Sequence, residues 1–360
     1  MNHKKLLLAV FFLTVCCYCL LPTSLFAGNK DRIGQSGASE LLINPWAGST
    51  GLGGANSASV MGIESMHLNV AGLAYTNKTD ITFAHTNWLK GSDIGINTLG
   101  LAVRTGESSV LGIGVMAMNF GDIDITTVNL PEGGSGKFSP QFLNFGLSYA
   151  REFSNSISGG ITTKVISESI SNVKAQGVAF DLGVRYVTGD KKHMKFGIAL
   201  RNVGPKMKYA GDGMSTQVYL DGKQFTLEQR SEGFELPAFL SIGAAYDIYV
   251  APQTDSATKE IKADHKITLC GNFQANSFGK DQIRIGAEYG FMNYFKVRAG
   301  YVYEEATSSV QDRTTVYTGP TAGVSVQLPF SGKTIIGLDY SYQNTFPFDG
   351  THTFGIRINI

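Results

Sequence analysis

The chain has 360 residues and a formal net charge of +1. This near-neutral balance argues against nucleic-acid binding, which requires a concentrated basic surface. Charged residues make up 16% of the chain and hydrophobic residues 43%, with 43 glycines, whereas a soluble domain has roughly 25% charged residues. Few charges with many glycines and aromatic residues are typical of the alternating strands of a membrane β-barrel.

Residues 1–27 are predicted to be a secretory signal peptide. Two lysines precede an apolar run over residues 6–21, and Ala27 precedes the expected cleavage site. A lipoprotein signal ending at Cys16 is the alternative, but valine is a poor residue before a lipidated cysteine. After cleavage only Cys270 of the four cysteines remains, so the fold is expected to form without an internal disulfide.

Residues 28–78 show no strand-like alternation and are predicted to form a plug inside a barrel mouth. They are rich in small residues, which let one backbone pack closely against another. A Gly-x-Gly-Gly sequence at residues 51–54 could also suggest a dinucleotide-binding loop, but the flanking strand and helix that such a loop needs are missing. The predicted plug signature consists of Gly53, Gly54, Asn69, Val70, Ala71 and Gly72.

Residues 79–360 alternate apolar and polar side chains between turns, which predicts about fourteen antiparallel transmembrane β-strands. The strands are expected to start near Thr79, Asp93, Ser108, Gln141, Ser156, Ala175, Met194, Pro237, His265, Gln282, Phe295, Thr321, Thr334 and Thr351. Apolar side chains would face lipid and polar ones the lumen of a closed sheet without edges. The alternation changes phase near Asn97, which predicts a β-bulge. A soluble β-sandwich is the alternative, but it seldom combines so many strands with an apolar terminal strand.

The connections between these strands are predicted to be long at one end of the barrel and short at the other, as is typical of outer-membrane barrels. The long outer loops are 120–140, 204–236 and 304–320. The inner turn 248–263 is an exception, because it is long whereas the other inner turns are short. Within the largest loop, residues 217–220 are expected to pair with residues 223–226 across an Asp-Gly turn. Aromatic side chains on these loops are candidate partner-binding anchors, namely Phe138, Tyr209, Tyr219 and Phe225.

Charged side chains on the polar face of the late strands are predicted to face the lumen. They are Arg185, Arg201, Arg284, Glu288, Lys296, Arg298, Asp339 and Arg357. Two interpretations are open. The charges either pair across strands and hold the plug in place, or they line a polar pathway for a solute or peptide.

Enzymatic chemistry has little support in the sequence. The six histidines do not share metal-ligand spacing, and no nucleophile elbow with partner residues is visible. Asp122 and Asp124 alternate as a catalytic pair could, but at the edge of a loop such residues are usually solvated. We therefore predict no catalytic residue, no metal and no cofactor.

The segment from Gly51 to Ala74 resembles the amino-terminal signature of the PorV/PorQ family of Bacteroidetes-type outer-membrane proteins, which is related to the FadL fatty-acid transporters. Valine at position 70 stands where that family has proline. Residues 119–123, 202–209 and 235–243 also resemble PorV-type segments. The resemblance implies a fourteen-stranded FadL-type barrel in the outer membrane of a Gram-negative, Bacteroidetes-type cell.

The same resemblance implies a function in type IX protein secretion. The main expectation is a non-enzymatic accessory barrel whose partners are outer-membrane lipid and other outer-membrane or secretion-system proteins, without nucleic acid or metal. The alternative is a FadL-like transporter for hydrophobic small molecules. That alternative predicts an apolar pocket near the plug and a gap in the barrel wall at a strand irregularity, for which Asn97 is the candidate position.

Overall fold

A computed structural model describes residues 30–189, 191–250, 252–254, 261–292, 294–307, 309–331 and 334–360. The predicted signal peptide lies outside these residues, as does part of the inner turn predicted at 248–263. No helix within the described ranges is both long and apolar enough to cross a membrane.

Fourteen long strands in the described part of the chain form one antiparallel sheet, in which each strand pairs with its neighbours in sequence. They are β1 Thr79–Trp88, β2 Ile94–Arg104, β3 Ser109–Asn119, β4 Gln141–Glu152, β5 Ile157–Ile170, β6 Val173–Thr188, β7 Met194–Val203, β8 Phe239–Val250, β9 His265–Asn276, β10 Gln282–Phe291, β11 Phe295–Glu304, β12 Tyr317–Ser331, β13 Thr334–Thr345 and β14 Thr351–Asn359. The last strand pairs with the first, from Asp80 opposite Asn359 to Asn87 opposite His352. The sheet is therefore a closed barrel, and the predicted fold class is confirmed.

The side chains of the wall alternate between its two faces, because successive residues of a strand point to opposite sides of the sheet. In β14, Phe354 is 53% exposed and Ile356 49%, whereas Thr353, which precedes Phe354 in the same strand, is fully buried. Exposed aliphatic and aromatic residues in the same phase cover the outside of the other strands. An apolar outer face and a polar inner face are what a barrel in a lipid bilayer requires.

The predicted strand starts agree closely with the structure. Eight of the fourteen coincide, and the largest error is at β12, which begins at Tyr317 instead of Thr321. The register between β12 and β13 shifts between these two residues, so the alternation becomes regular only after Thr321.

The bulge predicted near Asn97 is wrong, because β2 keeps an unbroken register with both neighbours. The change of phase has another cause. At the rim of the barrel Ile96 points inward and packs with Met116 and Met118, while Asn97 points outward and its Oδ1 lies 2.8 Å from Nδ1 of His85. Irregular pairing occurs instead between β6 and β7, next to Asp181.

The three long connections lie at one end of the barrel, which we call the outer end. The largest carries a hairpin in which Ser215–Leu220 pairs with Lys223–Glu228, so the predicted hairpin is confirmed. The other short strands are Ile123–Asp124, Lys137–Phe138, Tyr209–Ala210, Gln253–Thr254 and Ile261–Lys262. Short helices occur at Lys30–Arg32, Ser39–Leu42, Ala47–Thr50, Ser65–Leu68, Val70–Tyr75 and Asp212–Met214.

Candidate functional site

Residues 46–74 pack against the inner face of the barrel on one strand after another. At twelve inward-facing glycines of the wall, an added Cβ would lie within 3.5 Å of an atom of this segment. These glycines lie on eleven of the strands and are Gly100, Gly112, Gly114, Gly146, Gly160, Gly183, Gly197, Gly243, Gly286, Gly300, Gly323 and Gly355. Only glycine permits so close an approach of wall and segment, so the segment occupies the lumen at this level. We call residues 46–74 the lumen segment.

Two contacts show how close the approach is. A Cβ at Gly300 would lie 2.5 Å from the carbonyl carbon of Leu52, and one at Gly183 would overlap Oδ1 of Asn69. Both neighbours belong to well-buried residues. A side chain at either position would therefore push the lumen segment away from the wall.

Hydrogen bonds fix the lumen segment to the wall as well. The side chain of Asn69 donates to the carbonyl of Val184 at 3.1 Å and accepts from the backbone N–H of Ala71 at 3.1 Å. From the wall, Arg185 donates to the carbonyl of Val60 at 3.0 Å, and Thr321 donates to that of Gly51 at 3.1 Å. These bonds satisfy backbone groups that helix ends leave unpaired inside the barrel.

The six residues of the predicted plug signature all lie in the lumen segment. Asn69, Val70, Ala71 and Gly72 are buried, and a Cβ at Gly72 would overlap the carbonyl of Val60. Gly53 and Gly54 have positive φ angles of 61° and 71° and lie beside Arg284, which donates to the carbonyl of Gly53 at 3.3 Å.

Most of the predicted lumen charges form ion pairs across strands. Arg298 lies 2.6 Å from Glu288, Arg357 lies 2.6 Å from Asp339, and Arg201 lies 3.3 Å from Asp181. Arg185 and Arg284 bind the lumen segment as described, and Lys296 lies on the inner face of β11. These contacts favour the first interpretation, in which the charges pair and hold the segment.

Sequence reasoning missed three ion pairs of the inner face. Lys164 lies 2.8 Å from Asp181, and Asp247 binds both Lys195 and Lys266. The same alternation that marked the other charges could have found Lys164, Lys195, Asp247 and Lys266, since each sits at an inward position of its strand.

Sequence reasoning also missed the carboxyl groups of the N-terminal region. Glu64 is buried and accepts a hydrogen bond from the backbone N–H of Ser49 at 2.9 Å, and burial raises its pKa. Glu40, in the helical turn Ser39–Leu42, is also buried. No periodic pattern marks these residues, because the N-terminal region has no regular strand.

A cavity of about 510 Å³ lies at the outer end of the lumen. We call it the outer cavity. Its walls are the outer ends of the strands, and its floor is formed by residues 33–54. Apolar side chains supply much of the lining, including Trp88, Met118, Phe120, Phe142 and Tyr317. The polar residues of its lining include Arg284, Gln282 and Glu304.

A second pocket of about 70 Å³ lies deeper in the lumen. Its lining includes Trp46, Met66, His67, Met116 and Asn144. Met116 is two residues from Met118 of the outer cavity on the same face of β3, so the two spaces are neighbours. Burial and nearby cations lower the pKa of His67, which makes its ring neutral at pH 7.

The four aromatic residues predicted to bind partners differ in position. The ring of Tyr209 lies 5.6 Å from that of Phe234, and its hydroxyl donates to Glu168 inside the barrel. Phe138 pairs with Ile123 in a two-residue ladder. Only Tyr219 and Phe225 project from the hairpin, at 74% and 46% exposure. The outer loops therefore do not present these four side chains as one surface.

Several solved structures have a fold similar to that of this chain, although their sequences differ widely from it. No protein-family model and no curated protein matches the chain. It is similar to the toluene transporter TbuX of Ralstonia pickettii (14% identity, TM-score 0.50), the toluene transporter TodX of Pseudomonas putida (12%, 0.52) and a FadL homologue of Pseudomonas aeruginosa (12%, 0.50). The matches cover 87–88% of this chain and 97% of each of those chains.

The fold is that of FadL-type outer-membrane barrels. At such low identity the likeness shows the fold alone, and the predicted FadL-type barrel fold is confirmed. The finer PorV assignment and the Bacteroidetes-type source are not shown by these matches.

The main functional prediction, an accessory role in type IX secretion, is wrong on these comparisons. Two of the three similar structures are described as toluene transporters and the third as a FadL homologue. They favour the alternative prediction, a transporter for hydrophobic small molecules.

Proposed function

We propose that the chain is an outer-membrane channel for hydrophobic small molecules, which enter through the outer cavity. The observation that carries the proposal is the outer cavity itself. It is largely apolar, it lies at the outer end of a FadL-type barrel, and the lumen segment blocks the lumen beneath it. A concave apolar space with a few convergent polar groups is the usual form of a small-molecule site.

The size of the outer cavity suits weak and reversible binding. An aromatic ring that buries about 150–250 Å² of surface gains roughly 4–6 kcal/mol from the hydrophobic effect. That gain corresponds to a Kd on the order of 1 mM to 50 µM before the costs of binding are subtracted. A channel requires such weak binding, because its ligand must leave again.

Passage through the barrel requires the lumen segment to change position. Its hydrogen bonds to the wall and its close contacts with wall glycines hold it across the lumen below the outer cavity. The bonds from Asn69 and Arg185 are each worth about 1 kcal/mol net. A local rearrangement that breaks a few of them is therefore accessible without unfolding the barrel.

Uptake of labelled toluene into proteoliposomes tests the proposal. Ala238 lines the outer cavity, and Ala238→Trp would fill much of it. We expect the wild-type protein to accelerate uptake over empty liposomes and Ala238→Trp to lower that acceleration at least fivefold. The matched control is Ala299→Trp, because Ala299 is exposed on the outer face of β11, and we expect it to behave as wild type. Equal uptake by wild type and Ala238→Trp would contradict the proposal.

A further inference from the structure

The lining of the outer cavity differs between its two sides. Of the described residues, strands β1–β4 and the connection after β3 contribute only apolar side chains, namely Trp88, Met118, Phe120 and Phe142. All four belong to one cluster around Ile96 and Met116 at the rim, and the rings of Phe120 and Phe142 meet edge to face with 4.8 Å between their centroids. We call these four residues the apolar side of the cavity.

Amide side chains line the other side of the cavity. Strands β9, β10 and β13 contribute Gln274, Asn276, Gln282, Gln343 and Asn344, which we call the amide side. In the sheet, Gln282 lies between Gln274 on β9 and Glu304 on β11, so polar side chains form a row across three neighbouring strands. An amide carries no charge and offers both hydrogen-bond donors and an acceptor.

The charged side chains of the amide side are already bound by other groups of the protein. Arg284 donates to the side chain of Gln282 at 2.6 Å, and Gln282 donates in turn to Glu304 at 2.8 Å. Lys280 donates to two backbone carbonyls, at 3.0 and 2.9 Å. A charged ligand would have to break these bonds, so a neutral ligand fits this side better.

Two neutral groups of the lining remain available to a ligand. The side chain of Gln343 is only partly buried and makes no hydrogen bond within the described part of the chain. The hydroxyl of Thr315, which is also partly buried, accepts a bond from the backbone N–H of Tyr317 at 3.3 Å and keeps its proton for another partner. Such groups at the edge of a cavity bind water or the polar part of a ligand.

The outer cavity is larger than a single ring requires. Its volume is about 510 Å³, whereas a cavity of about 150 Å³ is enough to hold benzene. A ring packed on the apolar side therefore leaves most of the space for a second part of the ligand, next to the amide side. An apolar second part would remove water from the amides without replacing its hydrogen bonds, which is unfavourable.

We propose that the outer cavity binds molecules with two parts, a ring that lies against the apolar side and a neutral part with several hydroxyl groups that lies against the amide side. Aryl glycosides have this chemistry. The inference rests on the proposed channel function and names its substrate class. Because a hydroxyl group both donates and accepts hydrogen bonds, a sugar can pair with the amides through their donors and their acceptors.

Competition against radiolabelled 4-methylphenyl β-glucoside tests the inference, with the protein in phospholipid nanodiscs because glycoside detergents would occupy the same site. Toluene, which has the ring alone, should bind at least tenfold more weakly than the glucoside, as a few hydrogen bonds to amides allow. Glucose, which lacks the ring, should also bind at least tenfold more weakly. Gln343→Leu should lower the affinity for the glucoside about fivefold and leave that for toluene unchanged.

The matched control is Gln327→Leu. Gln327 lies on β12, at the inner end of the barrel, and lines neither the outer cavity nor the second pocket. We expect this variant to keep the wild-type affinities. If Gln343→Leu does not fold, uptake into proteoliposomes by the wild-type protein decides the question. Wild type should accelerate the uptake of the labelled glucoside over empty liposomes and leave that of glucose unchanged.

Three results would overturn the inference and leave the proposed channel standing, provided that toluene uptake is accelerated. They are equal affinities for toluene and the glucoside, a folded Gln343→Leu variant with the wild-type preference, and tighter binding of 4-methylbenzoate or 4-methylbenzylamine than of the glucoside. A protein that neither binds nor transports toluene or the glucoside would instead contradict the proposed channel function.

Discussion

The barrel wall and the lumen segment are held by different kinds of contact. In the wall, backbone hydrogen bonds run along whole strands, and β5 and β6 pair over fourteen positions. The lumen segment has only short helical turns, and it is held by close packing against wall glycines and by isolated hydrogen bonds. The hydrogen-bonded strands of the wall tolerate many different side chains on their outer face. The contact between the wall glycines and the lumen segment tolerates few substitutions in either partner.

We expect the largest effect from a substitution that places a side chain between the barrel wall and the lumen segment. A side chain at Gly183 would overlap Asn69 and lie 3.1 Å from the backbone nitrogen of Val70. We expect Gly183→Val to displace the lumen segment while the barrel still forms, since overpacking in a tight core is strongly unfavourable. Proteolysis within residues 46–74 and a rise in bilayer conductance would report the displacement.

The control for this substitution is Gly271→Val. Gly271 lies on the outer side of β9, and a Cβ there would meet nothing within 4 Å. Wild-type protease resistance and conductance are expected for this variant. If Gly183→Val were equally resistant, the fit between wall and segment would not depend on its glycines.

A substitution within the wall should destabilise the barrel rather than release the segment. Arg298 is buried between Glu288 and Ser325, with 2.6 and 2.5 Å between the paired atoms. Arg298→Met leaves Glu288 buried without its main partner, which costs about 3–5 kcal/mol. We expect a lower urea midpoint for barrel unfolding. Lys137→Met, in an exposed loop pair with Asp124, should leave the midpoint unchanged, and similar losses for both would contradict this account.

Removal of one anchor of the lumen segment should have a smaller effect. Asn69→Ala deletes the bonds to Val184 and Ala71 and leaves the buried N–H of Ala71 without its partner, at a cost of about 1–3 kcal/mol. Hydrogen exchange over residues 65–75 should become faster by one to two orders of magnitude. Asn119→Ala, whose side chain accepts one bond in an exposed loop, is the control. Unchanged exchange in Asn69→Ala would argue against an anchoring role.

The smallest expected effect is a pH dependence of the N-terminal region. Because folding raises the pKa of Glu40 from 4.5 to about 8, the folded state binds its proton more tightly than the unfolded state. The stabilisation is complete below pH 4.5 and is lost as the pH rises to about 8, and it concerns the N-terminal region alone, so the barrel wall should not change. Protease protection of residues 30–45 should fall over this range, and Glu40→Gln should flatten the profile. An identical profile for the variant would contradict the assignment to Glu40.

Sequence periodicity predicted the wall because each strand exposes one face to lipid and the other to a polar interior. The exception at Ile96 shows the limit of that rule, since apolar residues also pack inside the rim. The contacts of the lumen segment depend on which residues meet across the barrel, and spacing along the chain does not reveal this. For the same reason the sequence could not reveal that Glu40 is buried beside Glu168, because the two residues meet only when the N-terminal region packs against β5.

The most direct test of the account is the location of a bound apolar molecule. A crystal of the protein soaked with 4-bromotoluene would give an anomalous bromine signal wherever the molecule binds. We expect the signal within the outer cavity, beside the hydrogen-bonded pair of Trp88 in β1 and Tyr317 in β12. Bromine found only on the lipid-facing surface, with the outer cavity free of it, would contradict the central claim that this cavity admits hydrophobic molecules.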